Sequence, residues 1–330
     1  MDYNSQPLLS GKKILVTGGA GFIGSNLVDR LLNIGCKVIV VDNFITGKSE
    51  NIEHLKSNPH FALIEGDIRD FKVCKEAVKG VELIFHQAAL GSVPRSIENP
   101  VLTTEINILG TVNILEAARK ASIKRVVFAA SSSTYGDSQA LPKVEDKIGR
   151  PLSPYAITKY VNELYAENYS RLYGMETIGL RYFNVFGPRQ DAKGAYAAVI
   201  PKFIESIKNL QPPVINGDGN YSRDFTFVEN VIQANLLAAT TQNPEALNKI
   251  YNIAYGEQTT INQLFYSIRT EVAKSYPQCT TLEPTYGPFR KGDIPHSLAS
   301  IERAKMLLNY KPTHNLQQGL AETVAWFLTH

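Results

Sequence analysis

Three features of the sequence predict a parallel, doubly wound α/β sheet joined to a smaller, mixed α/β C-terminal lobe. Short β-branched runs alternate with longer helical patterns in the N-terminal half, and those runs are apolar throughout. A glycine cluster stands where the first run meets the first helix. Strand–helix alternation calls for parallel strands with crossover helices, and unbroken apolarity suits strands covered on both faces. Strands are expected at Lys13–Thr17, 38–41, 61–64, Leu83–His86 and 126–129, with a further one ending in Arg181-Tyr182-Phe183-Asn184. Helices are expected over Phe22–Asn33, 71–78, 102–121 and around Tyr155. Beyond about residue 180 the rhythm loosens, with prolines such as Pro188, Pro201, Pro212 and Pro213 punctuating it. Helices remain expected over 196–208, 228–241, 261–275 and 317–328. Residues 1–183 therefore read as one lobe and 184–330 as a second, with the chain crossing between them.

The 330 residues carry 34 Lys+Arg against 31 Asp+Glu, a net charge of +3, with 44% apolar and 20% charged residues. That balance excludes a disordered chain, a collagen-like repeat and a small disulfide scaffold. No Lys/Arg block stands out, so nucleic acid is not an expected partner. No stretch approaches the roughly 18 apolar residues of a membrane span, and residues 1–10 lack a secretory pattern. Cys36, Cys74 and Cys279 are far apart and in no CxxC arrangement, which suits a reducing, cytoplasmic setting. The six histidines form no metal-ligand pattern, so no metal is expected, and His86 reads as a core residue.

Gly18, Gly21 and Gly24 stand in GxxGxxG spacing between the first strand and the first helix, with Phe22 and Ile23 inside the turn. Such a turn brings backbone N–H groups and a helix N-terminus to a pyrophosphate. The second strand ends at Asp42, followed by Asn43. A carboxylate there accepts both hydroxyls of an adenosine ribose and repels a 2′-phosphate, favouring NAD over NADP. Asp67 and Ile68 follow the third strand, where a side chain meets the adenine.

Tyr155 and Lys159 are four apart and share one helix face. A nearby ammonium favours the phenolate, which makes Tyr155 a usable base. The run Ser131-Ser132-Ser133-Thr134-Tyr135-Gly136 ends an apolar strand, where open α/β sheets place their ligands. Ser, Tyr and Lys beside a dinucleotide turn are a hydride-transfer set.

At this point the chain resembles the extended short-chain dehydrogenases/reductases, and within them the nucleotide-sugar 4-epimerases. The motifs are TGGAGFIG, VDNF, GDIRD, HQAA, SSSTYG, YAITK, RYFNVFGPR, SRDFTFVEN and RKGDIPHS, over roughly residues 10 to 328. The resemblance implies a Rossmann-type fold and a tightly bound NAD regenerated in each turnover. It implies Tyr155 as acid/base, Lys159 on the nicotinamide ribose and Ser131 as the third catalytic residue. Gln87, Ala88, Ala89 and Tyr182 would line the cofactor. Ser132 and Ser133 would contact the sugar, with Gly91, Ser92, Gln190 and Val199 also on the substrate. Asn184, Arg223 and Arg290 would hold the diphosphate, Asp293 the uridine ribose, and Val214 and Asn216 the uracil.

Dehydratases of this family carry an Asp-Glu pair where Ser132-Ser133 stand, and decarboxylases a Glu at the position of Ser133, so the resemblance implies epimerisation. Ser297 stands where epimerases restricted to glucose and galactose carry a tyrosine, leaving room for an acetamido group. The expected substrates are UDP-N-acetylglucosamine and UDP-N-acetylgalactosamine, interconverted through a 4-keto sugar. The 6-carboxylated UDP-N-acetylglucosaminuronic acid is the alternative, and a non-catalytic NAD-binding sensor a remote one. Helices over 102–121 and Pro154–Tyr173 resemble those of a homodimer interface, although Ile106, Leu109, Val112 and Ile114 equally suit an internal core.

Overall fold

Seven parallel strands form the central sheet of the computed structural model, which describes residues 6–192, 197–289 and 294–330. Six follow in chain order: β1 Lys13–Thr17, β2 Lys37–Asp42, β3 Phe61–Glu65, β4 Leu83–His86, β5 Arg125–Ser131 and β6 Glu176–Tyr182. Their order across the sheet is β3-β2-β1-β4-β5-β6, and a seventh strand, Lys249–Ile253, lies beyond β6. The order reverses between β1 and β4, which opens a crevice at the C-terminal ends of those strands.

Side chains explain the two-sided cover. Ile14, Val16, Phe85 and Val127 point into one core, while Leu15, Ile84 and Val126 point into the other. Leu27, Val28 and Leu31 of the Phe22–Asn33 helix close the first core, and Ile114 and Leu115 the second. Among the expected helices, that over 102–121 contains a wider turn, Glu105–Leu109, before its Gly110–Lys120 segment. Helices Val199–Lys208, Val228–Thr240, Ile261–Ala273 and Leu316–Thr329 build the second half of the chain.

The sequence reading contains no strand at Lys249–Ile253, and Asn252 is the reason. A central polar residue breaks the apolar pattern, yet Asn252 is fully buried. Its Oδ1 accepts from the Tyr135 hydroxyl at 2.7 Å, and its Nδ2 donates to Lys143 and Ser300 carbonyls at 2.9 and 3.0 Å. A fully satisfied buried amide is compatible with a strand interior. Through this strand the 184–330 segment returns to the sheet.

A buried ion pair fixes the helix that carries Tyr155. Glu163, on the Pro154–Tyr173 helix, meets Arg181 of β6 through two bonds of 2.8 and 2.7 Å, and Arg181 also donates to the Glu145 carbonyl at 2.9 Å. Removing one partner from such a pair strands the other charge. Arg181→Met is therefore expected to lower the unfolding free energy by about 3–5 kcal/mol. The urea midpoint reads this, and a wild-type midpoint would refute it. No helix among the described residues is long and apolar enough to cross a membrane.

Candidate active site

The cofactor end is built on close backbone approach. Gly18 turns the chain after β1 with φ +69°, and a Cβ there would stand 2.7 Å from the Ala88 Cα. A Cβ on Gly24 would stand 2.1 Å from the Gly18 carbonyl oxygen. Only glycine fits either position. Gly21 is the N-cap of the Phe22–Asn33 helix, and no side chain caps it. The first-turn N–H groups are thus left for an anion, with the helix's partial positive charge behind them. This cradle fits a dinucleotide pyrophosphate.

Asp42 accepts from the Ala20 N–H and the Phe44 N–H, each at 2.9 Å. Burial raises its carboxyl above the ordinary range, and those backbone bonds oppose the rise. Each oxygen keeps a lone pair for a ribose hydroxyl. A Cβ on Gly47 would meet the carboxylate at 2.8 Å, so a glycine the sequence reading passes over lets this loop close. Asp67 accepts from Arg69 Nη2 at 2.8 Å and Asn43 Nδ2 at 2.9 Å, and the Arg69 bonds hold its carboxyl below the usual range. Every residue assigned above to the cofactor lines one cavity of about 810 Å³.

The catalytic helix starts on a cap: Ser153 Oγ accepts from the Ala156 N–H at 3.1 Å, with Pro154 in the first turn. Tyr155 and Lys159 both line the cavity. Lys159 Nζ donates to the Ala129 carbonyl at 2.8 Å and lies 6.0 Å from the Tyr155 ring centre. Burial pushes the Lys159 ammonium down to about 8, and Glu163 one turn further on opposes the fall. Burial also raises the Tyr155 phenol, while a hydrogen bond with Ser131 lowers it. The sequence reading expects Lys159 to depress that phenol. Here burial sets the direction and Ser131 is the group that opposes it, while the Lys159 Nζ is turned to the Ala129 carbonyl.

Ser131 is the serine that meets Tyr155. Its Oγ accepts from the Ser133 N–H at 3.2 Å and the Ser133 hydroxyl at 2.9 Å, which leaves its own proton for Tyr155 or a ligand. Ser132 lines the cavity and Ser133 stands behind it, supporting Ser131.

A second cavity of about 920 Å³ adjoins the first. Val199, Val214, Asn216 and Arg223 line it, while Ser92, Asn184 and Gln190 border both and Gly91 borders the first. Asn184 adopts φ +34° and donates to the Asp224 carbonyl at 3.0 Å. Arg223 donates to the Ser222 and Pro295 carbonyls at 2.9 and 3.2 Å. Ser297 lines neither cavity; its N–H donates to the Ser222 carbonyl at 3.1 Å. Arg290 and Asp293 lie outside the described residues. The segment bordering both cavities is tied to the cofactor side. Asn26 donates to the Pro188 carbonyl at 3.2 Å, Arg189 pairs with Asp29, and Lys48 pairs with Asp191 at 2.8 Å.

Two polar residues escape the sequence reading. Asn107, in the wide turn, bonds the Leu90 N–H at 2.7 Å and Thr158 Oγ1 at 3.0 Å. Asn235 joins Gln87 and Tyr182 from the Val228–Thr240 helix. Each stands among other polar residues of its helical stretch, so local pattern does not single it out, and only the burial of its amide marks it. His86 is buried and bonded on both ring nitrogens, to Thr17 at 2.7 Å and Thr111 at 3.0 Å; burial pushes it down to about 3. Among the described residues, no His, Cys, Asp or Glu cluster is arranged to hold a metal.

A dinucleotide cradle, a Ser-Tyr-Lys set and an adjoining second cavity define an NAD-dependent enzyme of the short-chain dehydrogenase/reductase type. The chain belongs to the NAD dependent epimerase/dehydratase family, whose model matches residues 14–254. It is 43% identical over 316 residues to a putative UDP-glucose 4-epimerase of Methanocaldococcus jannaschii, covering 95% of this chain and 97% of that one. It is similar to the UDP-N-acetylglucosamine 4-epimerase of Methanobrevibacter ruminantium, solved with UDP-N-acetylmuramic acid (40% identity, 97% and 99% coverage, TM-score 0.90). It is also similar to the UDP-glucuronic acid 4-epimerase of Bacillus cereus, solved with UDP-glucuronic acid and NAD (30% identity, 96% and 99% coverage, TM-score 0.85).

Two outcomes test this site. Gly18→Ala forces a Cβ into the Ala88 backbone and is expected to abolish NAD retention through purification, read from the absorbance ratio of the protein. Retained NAD would refute the cradle. For Lys159, a depressed folded-state value means that the unfolded chain binds more protons between about pH 8 and 10.5, so stability rises with pH across that window. The difference in Tm between wild type and Lys159→Met should shift in wild type's favour from pH 8 to 10.5. Parallel curves would sink this account.

Proposed function

We propose that the protein is a UDP-sugar 4-epimerase acting on neutral N-acetylated sugars, interconverting UDP-N-acetylglucosamine and UDP-N-acetylgalactosamine. The observation that carries this reading is the Tyr155 phenol bonded to Ser131 in the wall of the cofactor cavity, with Ser132 beside it and no carboxylate in that seryl run. Among the described residues, the carboxylates lining the cavities are Asp42, Asp67 and Asp191 in the first and Glu205 in the second. None belongs to the Ser131–Ser133 run, so the acid that water loss requires is missing there.

NAD, when bound, supplies the hydride acceptor and then the donor at C4 of the sugar. Tyr155 takes the 4-hydroxyl proton, Ser131 shares that proton, and the Lys159 ammonium stabilises the phenolate charge. Asn184 and Arg223 hold the diphosphate, so that the 4-keto sugar can turn about its anchored end. Once turned, the keto sugar presents the opposite face of C4 to the cofactor, which would return the hydride there, while Tyr155 gives the proton back to the 4-oxygen. Because no group is consumed, one acid/base serves both half-reactions.

Ser92, Asn184, Val185, Gln190, Ala197 and Ala198 border both cavities, and none is charged. Among the described residues the cations lining the two cavities are Lys48, Arg95, Lys159, Lys202 and Arg223, none of which borders both, and this favours a neutral sugar at the junction. The small side chains of Ser92, Ala197 and Ala198 leave room for an acetamido group, a role the sequence reading assigns to Ser297.

We also propose a homodimer in the cytoplasm. Ile97 is 62% and Val101 67% exposed, and Leu109, Ile157, Leu164 and Leu172 are exposed on neighbouring helices. Ile106 and Ile114 are buried in the chain's own core. Such a cluster of apolar side chains suits a second copy.

Tyr155→Phe is expected to cut turnover by about 10²–10⁴-fold while NAD stays bound; near-wild-type turnover would remove Tyr155 from the chemistry. Product analysis with UDP-N-acetylglucosamine, UDP-glucose and UDP-N-acetylglucosaminuronic acid in parallel should show fastest conversion of the first. Preference for the carboxylated sugar would overturn the neutral assignment.

A further inference from the structure

Gln87, Tyr182 and Asn235 come from three different elements, the end of β4, the end of β6 and the Val228–Thr240 helix, and they close a ring. Gln87 Nε2 donates to Asn235 Oδ1 at 3.1 Å, Asn235 Nδ2 donates to the Tyr182 hydroxyl at 2.9 Å, and Tyr182 donates to Gln87 Oε1 at 3.0 Å. One external contact sets the direction of all three bonds. Asn235 Nδ2 also donates to the Val231 carbonyl at 2.8 Å, and only the nitrogen end of the amide can do so. With Asn235 fixed, Gln87 must present its NH₂ to Asn235, so its oxygen must accept from Tyr182.

The ring has a chemical consequence. Tyr182 and Tyr155 both line the cofactor cavity, and Tyr182 stands opposite Ser131 in the β5–β6 register, which sets a second phenol at the reacting centre. The only proton of Tyr182 is committed to Gln87, and burial pushes that phenol up to about 12. Tyr155 is thereby left as the phenol able to exchange a proton. Gln87 keeps one N–H and one lone pair in a fixed orientation on the cavity wall.

We propose that Asn235, which is fully buried and lines neither cavity, is a positioning residue for the reaction. It locks Tyr182 and the Gln87 amide as an oriented wall at the Tyr155 end of the cofactor cavity, and so couples the second half of the chain to hydride transfer. This rests on the epimerase reading above.

The test compares wild type, Asn235→Leu, Gln87→Met and the double variant, each purified with its NAD. Each single variant should retain NAD and lower kcat by about tenfold. KM for the UDP-sugar should stay within about twofold. The NADH absorption band raised by adding UDP-sugar should differ from wild type, because the balance of the half-reactions moves. The double variant should cost no more than the worse single one, the signature of one shared network. A lower Tm with unchanged kcat and unchanged NADH band in Asn235→Leu would make Asn235 merely structural and overturn the proposal. If Asn235→Leu does not fold, Gln87→Met alone decides by the same two readouts. A wild-type chain without NAD or turnover would overturn the epimerase reading together with this one, whereas an active wild type with unaffected variants overturns this one alone.

Discussion

A single directed chain of hydrogen bonds joins the glycine turn to the catalytic helix, and the geometry of the site depends on it. The Ala88 N–H donates to Thr17 Oγ1, Thr17 donates to His86 Nδ1, and His86 Nε2–H donates to Thr111, which donates onward to the Asn107 carbonyl. Asn107 then bonds Thr158, which bonds the Tyr155 carbonyl. Thr111 spends its proton on the Asn107 carbonyl and so accepts from His86 Nε2–H, while burial keeps the ring neutral and leaves Nδ1 to accept from Thr17. A protonated imidazole would present a second donor at Nδ1, reverse the bond to Thr17 and leave the Thr17 proton unspent. The segment Ala88 belongs to, which passes within a Cβ's width of Gly18, is thereby registered against the helix that carries the acid/base.

The site concentrates desolvated polar groups. Asp42, Tyr155, Lys159 and Tyr182 share one cavity, and burial disfavours the charged form of each. Such an arrangement works against stability and persists where the surrounding fold over-determines it. The Arg181–Glu163 pair and the ring through Asn235 supply that determination from outside the cavity. Lys159 feels both sides, since burial lowers its pKa and Glu163 raises it.

Legibility in the sequence follows the range of the interactions. The glycine turn, Asp42, the Tyr155–Lys159 pair and the early strands are specified by neighbours within a few residues, and local spacing reveals them. The strand at Lys249–Ile253 was hidden because its stability comes from Asn252 meeting Tyr135, Lys143 and Ser300, all distant in sequence. Asn107 and Asn235 were hidden for the same reason, as single amides whose partners lie on other elements. Ser297 was placed by resemblance, and the backbone sets it beside Ser222, off the walls of both cavities. Resemblance alone apportions the seryl run, because local spacing does not separate Ser131, which meets Tyr155, from Ser133, whose hydroxyl donates to Ser131.

The segment carrying Pro188, Arg189 and Asp191 is a party wall: it borders both cavities and is fastened on the cofactor side by Asn26, Asp29 and Lys48. A nucleotide that presses on one face of a shared wall changes the free energy of the other face, and thermodynamic linkage makes the exchange symmetric. Whatever factor a resident dinucleotide adds to the affinity for a UDP-sugar, the UDP-sugar must add to the retention of the dinucleotide. Where that factor exceeds one, an epimerase gains from the symmetry, since its cofactor is then held more firmly while the oxidised sugar turns on its anchored end.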